Sequence, residues 1–219
     1  MDLARLVIAA PPDERSEPAS PRRWGGVDGN ARLTGSVGAA LFVILAVEGI
    51  TLLQIHQLIS WHVFLGMLLV PVVLLKSATT GYRFTHYYTG DPAYTEKGPP
   101  PVVLRVTGRA LVLTTLALLG TGIALVALGR AAGHPYLVLH QVTFFVWAAL
   151  LAVHVIGHAQ ETVSLTAADW RARRQASLRR GGAGARAAAT TAALVVGAVL
   201  GVLSIRWVGT WHHFSHHLH

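Results

Sequence analysis

The stretch 139-LHQVTFFVWAALLAVHVIGH-158 is an almost unbroken apolar run that carries three histidines and no acid, lysine or arginine. Its length suits a helix that crosses the hydrocarbon layer of a membrane, which is about 30 Å thick. On one helix, His140 and His154 are 14 residues apart, which gives a net rotation of about −40° and an axial distance of about 21 Å. Both imidazoles therefore lie on one face, one near each membrane edge, and His158 follows one turn after His154.

The composition of the whole chain also indicates a membrane protein. Of its 219 residues, 53% are hydrophobic and 13% are charged, whereas about a quarter of the residues in a soluble domain are charged. The chain contains no cysteine, which excludes disulfides, thiolate metal sites and covalent haem attachment through Cys-x-x-Cys-His. These features predict an integral membrane protein.

Five apolar runs of spanning length predict an all-α membrane protein, with a four-helix transmembrane bundle and a fifth C-terminal transmembrane helix. The predicted spans are 34–54, 59–80, 106–128, 139–158 and 187–208. Four regions follow: a disordered cytoplasmic tail at 1–32, the four-helix domain at 33–160, a basic cytoplasmic linker at 161–186, and the fifth helix with an external histidine-rich tail at 187–219. Residues 81–101, rich in Tyr, Gly and Pro, are predicted to form a loop.

The net charge of +8 is distributed as membrane topology requires, and not as a nucleic-acid-binding surface. The N-terminal tail, residues 81–109 and the 161–186 linker hold 15 of the 18 lysines and arginines. The opposite side carries only Arg130 and Arg206, and the remaining one lies within a span. Because positive residues concentrate on the cytoplasmic side, the N-terminus is predicted to be cytoplasmic and the C-terminus external.

Histidines at matched membrane depths are the candidate functional residues. His62, near the start of the second span, lies with His140 at the outer edge; His154, His158 and His86 lie at the inner edge. Ionisable side chains inside a membrane are costly, and they usually face a partner in the bundle interior. A neutral imidazole offers one nitrogen to a metal ion, so histidines on such a face are natural axial ligands of haem iron.

Other polar residues and prolines in or beside the spans have alternative interpretations. Glu48 is either a hydrogen-bonded carboxyl that faces a neighbouring helix or a group of a proton relay or quinone site. Pro71 predicts a kink in the second span, and Lys76 is expected to extend to the membrane surface. Arg109, one turn after Arg105, binds either lipid head groups or haem propionates, and the sequence does not decide between the two.

Three segments together resemble a known family. WHVFLGMLLVPVVLLK, TGYRF…YYTGDPAY…KGPPP and LHQVTFFVWAALLAVHVIGH look like parts of the bacterial cytochrome b561 and cytochrome b/b6-like membrane proteins. The resemblance covers about residues 34–160 and excludes the fifth span. It implies one or two haems b held between histidine pairs in the bacterial plasma membrane, with a quinone or an oxidoreductase as redox partner. It leaves open whether the chain forms a homodimer.

Carried over to this chain, the resemblance makes His62 and His140 the axial ligands of an outer haem. It makes His154 a ligand of an inner haem, with His158 as its substitute or helper, and Arg109 a candidate for the propionates. The inner site departs from the family pattern, because the second span has no histidine 13 or 14 residues after His62. His86 would be about 36 Å from His62 along a continuous helix, so the outer haem is the better supported of the two.

Two other classes of function stay open. The same histidines suit a protein that binds or transports divalent metals, and they also suit a non-catalytic structural protein in which they form interhelical hydrogen bonds. Five histidines near the C-terminus add to the first of these: His212, His213, His216, His217 and His219. With no nucleotide-binding or flavin-binding motif in the sequence, the chain is at most the electron-carrying subunit of an oxidoreductase.

Overall fold

The computed structural model describes residues 26–95, 102–176 and 183–209, which form helices and no strands. The all-α fold predicted from the sequence is confirmed. The helices are α1 (Gly26–Leu53), α2 (Ile55–Tyr88), α3 (Pro92–Thr95), α4 (Val102–Ala176) and α5 (Ala183–Ile205). Gly129, with φ 66°, interrupts α4 and divides it into two arms, residues 102–128 and 130–176. This left-handed conformation favours glycine, because a Cβ atom would meet the backbone there.

Five helical segments are long and apolar enough to cross a membrane, with mean hydropathies of 1.9 to 2.3. They are span 1 (Gly29–Leu53), span 2 (Ile55–Tyr88), span 3 (Arg105–Gly129), span 4 (Gly133–Gly157) and span 5 (Gly184–Ile205). Each has at least the roughly 20 residues that a bilayer crossing requires. The chain is therefore a multi-pass membrane protein.

Several helices are longer than the sequence predicted. The first begins at Gly26, inside the predicted 1–32 tail, and α2 continues to Tyr88, inside the predicted 81–101 loop. The second arm of α4 runs to Ala176, so much of the predicted 161–186 linker is helical. Hydropathy marks where the hydrocarbon layer ends, whereas a helix continues until residues such as Gly90 and Pro92 stop it. The rest of the N-terminal tail and the five C-terminal histidines lie outside the described residues.

The interior of α2 also differs from the prediction of a kink at Pro71. The only non-helical dihedral angles within α2 are at Leu58, and the backbone stays helical through Pro71. Proline is tolerated within membrane helices because neighbouring groups can compensate for the backbone hydrogen bond that it removes.

Polar side chains join α1 to α2, which run antiparallel. Lys76 Nζ donates to the Thr34 carbonyl oxygen at 2.7 Å, and Asn30 Nδ2 donates to the Thr79 carbonyl oxygen at 3.2 Å. The ammonium lies 3.0 Å from the position that a Cβ on Gly38 would occupy, so this glycine leaves room for it. Lys76 therefore does not simply extend to the surface as predicted; the half-buried ammonium bonds to the neighbouring helix.

The last helix, α5, packs closely on α2 through two glycines four residues apart. A Cβ on Gly197 would lie 2.5 Å from the Leu68 carbonyl oxygen, and one on Gly201 would lie 2.6 Å from the Phe64 ring. Because the glycine numbers rise as their partners' numbers fall, the two helices are antiparallel. Small residues at this spacing let membrane helices approach closely, so α2 is held between α1 and α5.

We expect Gly197→Ala to destabilise the contact between α2 and α5, because the added methyl group meets backbone atoms that have little freedom to move. Overpacking of this kind costs about 1–3 kcal/mol. Unfolding of the purified protein in detergent measures the loss. Gly184→Ala, in the same helix but with no neighbour within 4 Å of the added Cβ, should leave stability unchanged. Equal stability of the two variants would contradict the close contact.

Candidate functional site

One face of span 4 meets span 3 at intervals of seven residues. The pairs are His140 with Thr121, Trp147 with Thr115, and His154 with Gly108. The Trp147 indole Nε1 donates to Thr115 Oγ1 at 2.9 Å, and Trp147 is buried. A seven-residue repeat is the spacing that keeps two packed helices in register. The two histidines therefore lie on one face, as their separation of two heptads requires.

Each of these two histidines lies over a glycine of span 3. A Cβ on Gly122 would be 3.3 Å from His140 Cε1, and a Cβ on Gly108 would be 3.9 Å from His154 Cε1. The glycines are 14 residues apart, the same separation as the histidines. The contact at Gly122 is tighter than ordinary van der Waals packing, so this glycine creates the space in which the His140 ring lies.

His62, on α2, is held by two side chains of α1. Its Nδ1 lies 2.9 Å from Glu48 Oε1 and 3.2 Å from Thr51 Oγ1. The Thr51 hydroxyl donates its hydrogen to the Glu48 carbonyl oxygen at 2.6 Å, so its oxygen can only accept from His62. Both neighbours of Nδ1 can thus act as acceptors, which favours a proton on Nδ1. Gly66 leaves room for the carboxylate, since a Cβ there would lie 3.8 Å from Oε1.

Span 3 holds His140 in the same way. His140 Nδ1 lies 2.9 Å from Thr121 Oγ1, and the Thr121 hydroxyl donates to the carbonyl oxygens of Ala117 and Leu118, both at 2.9 Å. With its hydrogen engaged in this way, the threonine oxygen is an acceptor for the ring, which again favours a proton on Nδ1. In both histidines this tautomer leaves Nε2 with a free lone pair, which is the donor that a metal ion requires.

The two rings come together between α2 and span 4. Their centroids are 6.4 Å apart and their planes are nearly perpendicular, at 87°. An imidazole nitrogen binds a metal ion at about 2 Å, so two imidazoles on opposite sides of one ion have centroids about 6 Å apart. We call His62 and His140 the histidine pair; the separation of the two ring centroids is close to that distance.

An apolar cavity of about 230 Å³ lies at the junction of α2, span 3 and the end of α5. It is formed by Met67, Ile123, Val126, Ala127, Ser204 and Trp207. Ile123 directly follows Gly122, which touches the His140 ring, and Met67 is five residues after His62. Neither His62 nor His140 is among the residues that line it.

His86 lies away from the histidine pair, on the last turn of α2. Its Nδ1 is 3.2 Å from Asp91 Oδ2, and its ring packs between Tyr82, at 4.3 Å, and Tyr94, at 5.2 Å. The helix is continuous between His62 and His86, which places them about 36 Å apart along its axis. His86 is thus part of an aromatic cluster at the end of α2.

Arg109 is also held at that end of α2. Its guanidinium donates to the Tyr88 hydroxyl at 3.0 Å and lies 4.8 Å from the centre of the Phe84 ring. These contacts join the start of span 3 to the last turns of α2. The backbone of His158 continues the helix of α4, and its side chain lies outside the described residues.

The sequence identified the histidines but not the groups that orient them. Glu48 was singled out as an ionisable residue, without its partner. The threonines gave no signal, because threonine is common in membrane helices and its role here depends on which helix it faces. Trp147 could have been found, since it lies midway between His140 and His154 at heptad spacing. Within the described ranges, no group of three or more His, Cys, Asp or Glu side chains is placed to hold a metal ion.

The tautomers can be tested directly. We expect nitrogen-15 NMR of histidine-labelled protein to show Nδ1–H imidazoles at both His62 and His140. Thr121→Val removes the acceptor of His140 and should shift only that ring toward the other tautomer. Thr115→Val, which removes the Trp147 partner instead, is the matched control and should leave the His140 signal in place. A His140 signal that is unaffected by Thr121→Val would contradict the assignment.

The comparisons with known proteins do not assign a family. No protein-family model matches the chain, and neither a curated protein nor a solved structure shows significant similarity to it. The function therefore has to follow from the geometry of the side chains themselves.

Proposed function

We propose that this chain is a haem b electron-transfer protein of the membrane, in which His62 and His140 bind one haem iron from opposite sides. The observation that carries the proposal is the histidine pair. Two imidazoles from different helices are 6.4 Å apart, and the hydrogen bonds at each Nδ1 leave each Nε2 available to a metal ion. A structural role in interhelical bonding accounts for the Nδ1 contacts but gives no reason for the two rings to meet.

The chain's own residues determine how such ligands behave. Glu48 and Thr51 accept from His62, and Thr121 accepts from His140, so each ring has a fixed orientation before it meets the cofactor. A carboxylate that accepts from the distal ring nitrogen makes an imidazole a stronger donor. His62 is therefore the more electron-donating ligand of the two, and Glu48 favours the oxidised iron.

When bound, a haem would supply reversible one-electron chemistry, and His62 and His140 would hold its iron. The chain then acts as a relay, and its redox partner is a membrane quinone or another oxidoreductase. In this proposal the catalytic chemistry belongs to that partner, and the chain itself only carries electrons.

Binding of a haem between His62 and His140 would require the junction of α2 and α4 to widen. The apolar cavity at the junction of α2, span 3 and α5, about 230 Å³, is below the roughly 300–1,000 Å³ of pockets that enclose ligands. The main packing of α2 is against α1 and α5, and its contact with α4 is small. A flat macrocycle can therefore enter between α2 and α4 while the contacts of α2 with α1 and α5 stay in place.

The proposal is for one haem, at the outer edge. His86, the predicted inner-edge histidine that does not lie on span 4, is engaged with Asp91 at the end of α2. If His62 and His140 lie at one depth, His86 lies about 15 Å deeper than His154, since the axial distances are about 36 Å and about 21 Å. His86 and His154 are thus too far apart in depth to share one iron.

We expect His62→Ala and His140→Ala each to remove the low-spin b-type spectrum, because either change leaves the iron with one imidazole. The measurement is the reduced-minus-oxidised visible spectrum of protein made with an adequate haem supply, with haem quantified as the pyridine adduct. Wild-type protein should contain about one haem per chain, which is the stoichiometry of one ligand pair.

His56→Ala and His134→Ala are matched controls, since both histidines are exposed and belong to the same membrane edge. They should keep the full haem content, and so should His86→Ala. Normal haem content in both variants of the histidine pair would refute the proposal. A colourless wild-type protein that contains stoichiometric divalent metal would support the metal-binding function in its place.

We propose that the N-terminus faces the cytoplasm of a bacterial cell, since positive charge concentrates on that side. The absence of cysteine from the natural sequence makes a labelling test simple. A cysteine at Gln54, in the turn between α1 and α2, should react with a membrane-impermeant maleimide added outside. A cysteine at Thr89, after the end of α2, should react only once the membrane is opened. The reverse pattern would invert the orientation.

A further inference from the structure

A groove runs between the N-terminal parts of α1 and α5, away from the histidine pair. It has a volume of about 420 Å³, and six residues line it: Arg32, Ser36, Arg186, Ala187, Thr190 and Thr191. Both α1 and α5 are antiparallel to α2, so they are parallel to each other, and their first turns lie at one membrane edge. The direct contact between α1 and α5 is small, which leaves the groove open along these turns.

The surface of the groove is mainly apolar, although five of the six residues are polar. Ser36 Oγ donates to the Leu33 carbonyl oxygen at 3.0 Å, and Thr190 Oγ1 donates to the Arg186 carbonyl oxygen at 3.1 Å. These two hydroxyl hydrogens are thus engaged within their own helices. The groove therefore presents mostly carbon atoms, and an apolar side chain that covered them would remove this surface from water.

This apolar surface lies at the edge of the hydrocarbon layer. Span 1 begins at Gly29 and span 5 at Gly184, so Arg32 and Ala187 belong to the first turn of each span. Arg32 is exposed, and a guanidinium at a helix end stays at the membrane–water boundary. Amphipathic segments bind at this level with their apolar face inward. The groove therefore suits a short amphipathic segment.

The chain contains such a segment shortly before α1. Its first ten residues are MDLARLVIAA, and two prolines follow. The apolar residues include four with the i, i+3, i+4, i+7 spacing of one helix face: Leu3, Leu6, Val7 and Ala10. Arg5 falls on the opposite side of the same pattern. This spacing is typical of a segment that buries one face in a groove and exposes the other.

The chain between this segment and α1 is long enough to bring the two together. Residues 11–25 precede Gly26, and 15 residues reach about 50 Å when extended. The groove residues of α1 begin at Arg32, six residues after Gly26, which is about 9 Å along the helix. Residues 13–17, DERSE, contain three acids and one arginine. Their negative charge complements the exposed guanidinium of Arg32.

We propose that residues 3–10 of this chain dock in the groove between α1 and α5, with Leu3, Leu6, Val7 and Ala10 against its apolar surface. The docked segment joins the first turns of the two helices and shields the groove from water. The inference does not depend on haem binding, because the groove residues of α1 precede Glu48 by at least 12 residues and lie at the other end of the helix.

Paired cysteines in the full chain locate the segment, because the natural sequence has no cysteine. Thr191→Cys places a thiol in the groove. Ala192→Cys is the matched control, since Ala192 is equally exposed but lies about 100° further round α5, outside the groove lining. Each is combined in turn with Leu3→Cys, Val7→Cys or Ala10→Cys, and the protein is oxidised in its membrane.

We expect at least one of the three tail positions to form an intramolecular disulfide with position 191 at least about tenfold faster than with position 192, because docking fixes a distance that a free tail does not. Non-reducing gels and intact mass measure the rates. Equal rates at the two positions would overturn the proposal. A disulfide that joins two chains would assign the groove to the tail of a second copy, which also overturns it.

Thiol protection tests the same docking without a disulfide. In single-cysteine chains, Thr191→Cys should react with a maleimide more slowly than Ala192→Cys. Leu6→Asp and Val7→Asp place a charge on the apolar face of the segment, so each should raise the rate at position 191 to the rate at position 192. Arg5→Gln, on the opposite face, should keep the protection. Protection that survives Leu6→Asp and Val7→Asp would mean that lipid or another segment covers the groove, and the proposal would fail.

Discussion

The structure depends on a constraint that the membrane imposes: a polar side chain within the hydrocarbon layer needs a partner supplied by the protein. In this chain the partners lie on neighbouring helices. His62 bonds to α1, Lys76 bonds to an α1 carbonyl oxygen, and His140 and Trp147 bond to span 3. Hydrogen bonds are directional, so a small rotation or slide of one helix against its neighbour would break them. They fix which residues meet, and so they position the histidine pair.

Threonine has an unexpected part in that positioning. In a helix its hydroxyl donates to the carbonyl oxygen three or four residues earlier, as Thr51 and Thr121 do. The oxygen is left as an acceptor with a defined direction. An imidazole that approaches it must present an N–H group, which determines the tautomer of the whole ring. The direction of each threonine oxygen thus favours a proton on Nδ1, which leaves the lone pair on Nε2, at the far side of the imidazole ring.

The features that could be predicted from the sequence are those that follow from the fixed geometry of the α-helix. The common face of His140 and His154 follows from helix geometry alone, and the matched depth of His62 and His140 follows from alternating crossings. The acceptors could not be predicted, because they depend on the rotation of each helix about its axis. Lys76 was misjudged for the same reason, since its contact with Thr34 requires the register of α1 against α2. The packing of α5 was open to prediction from Gly197 and Gly201, whose spacing is visible in the sequence.

Because α2 packs closely on α5 and α1, the helices fall into two groups that are joined by few contacts. These three helices form one unit, spans 3 and 4 form a hairpin, and the junction between the two is small. The histidine pair lies across that junction, with one ring on each side. A ligand that binds both rings adds its binding free energy to the association of the two parts, by the same mass-action relation that links ligand concentration to folding. For such a ligand, assembly of the spans and occupation of the site would be coupled equilibria.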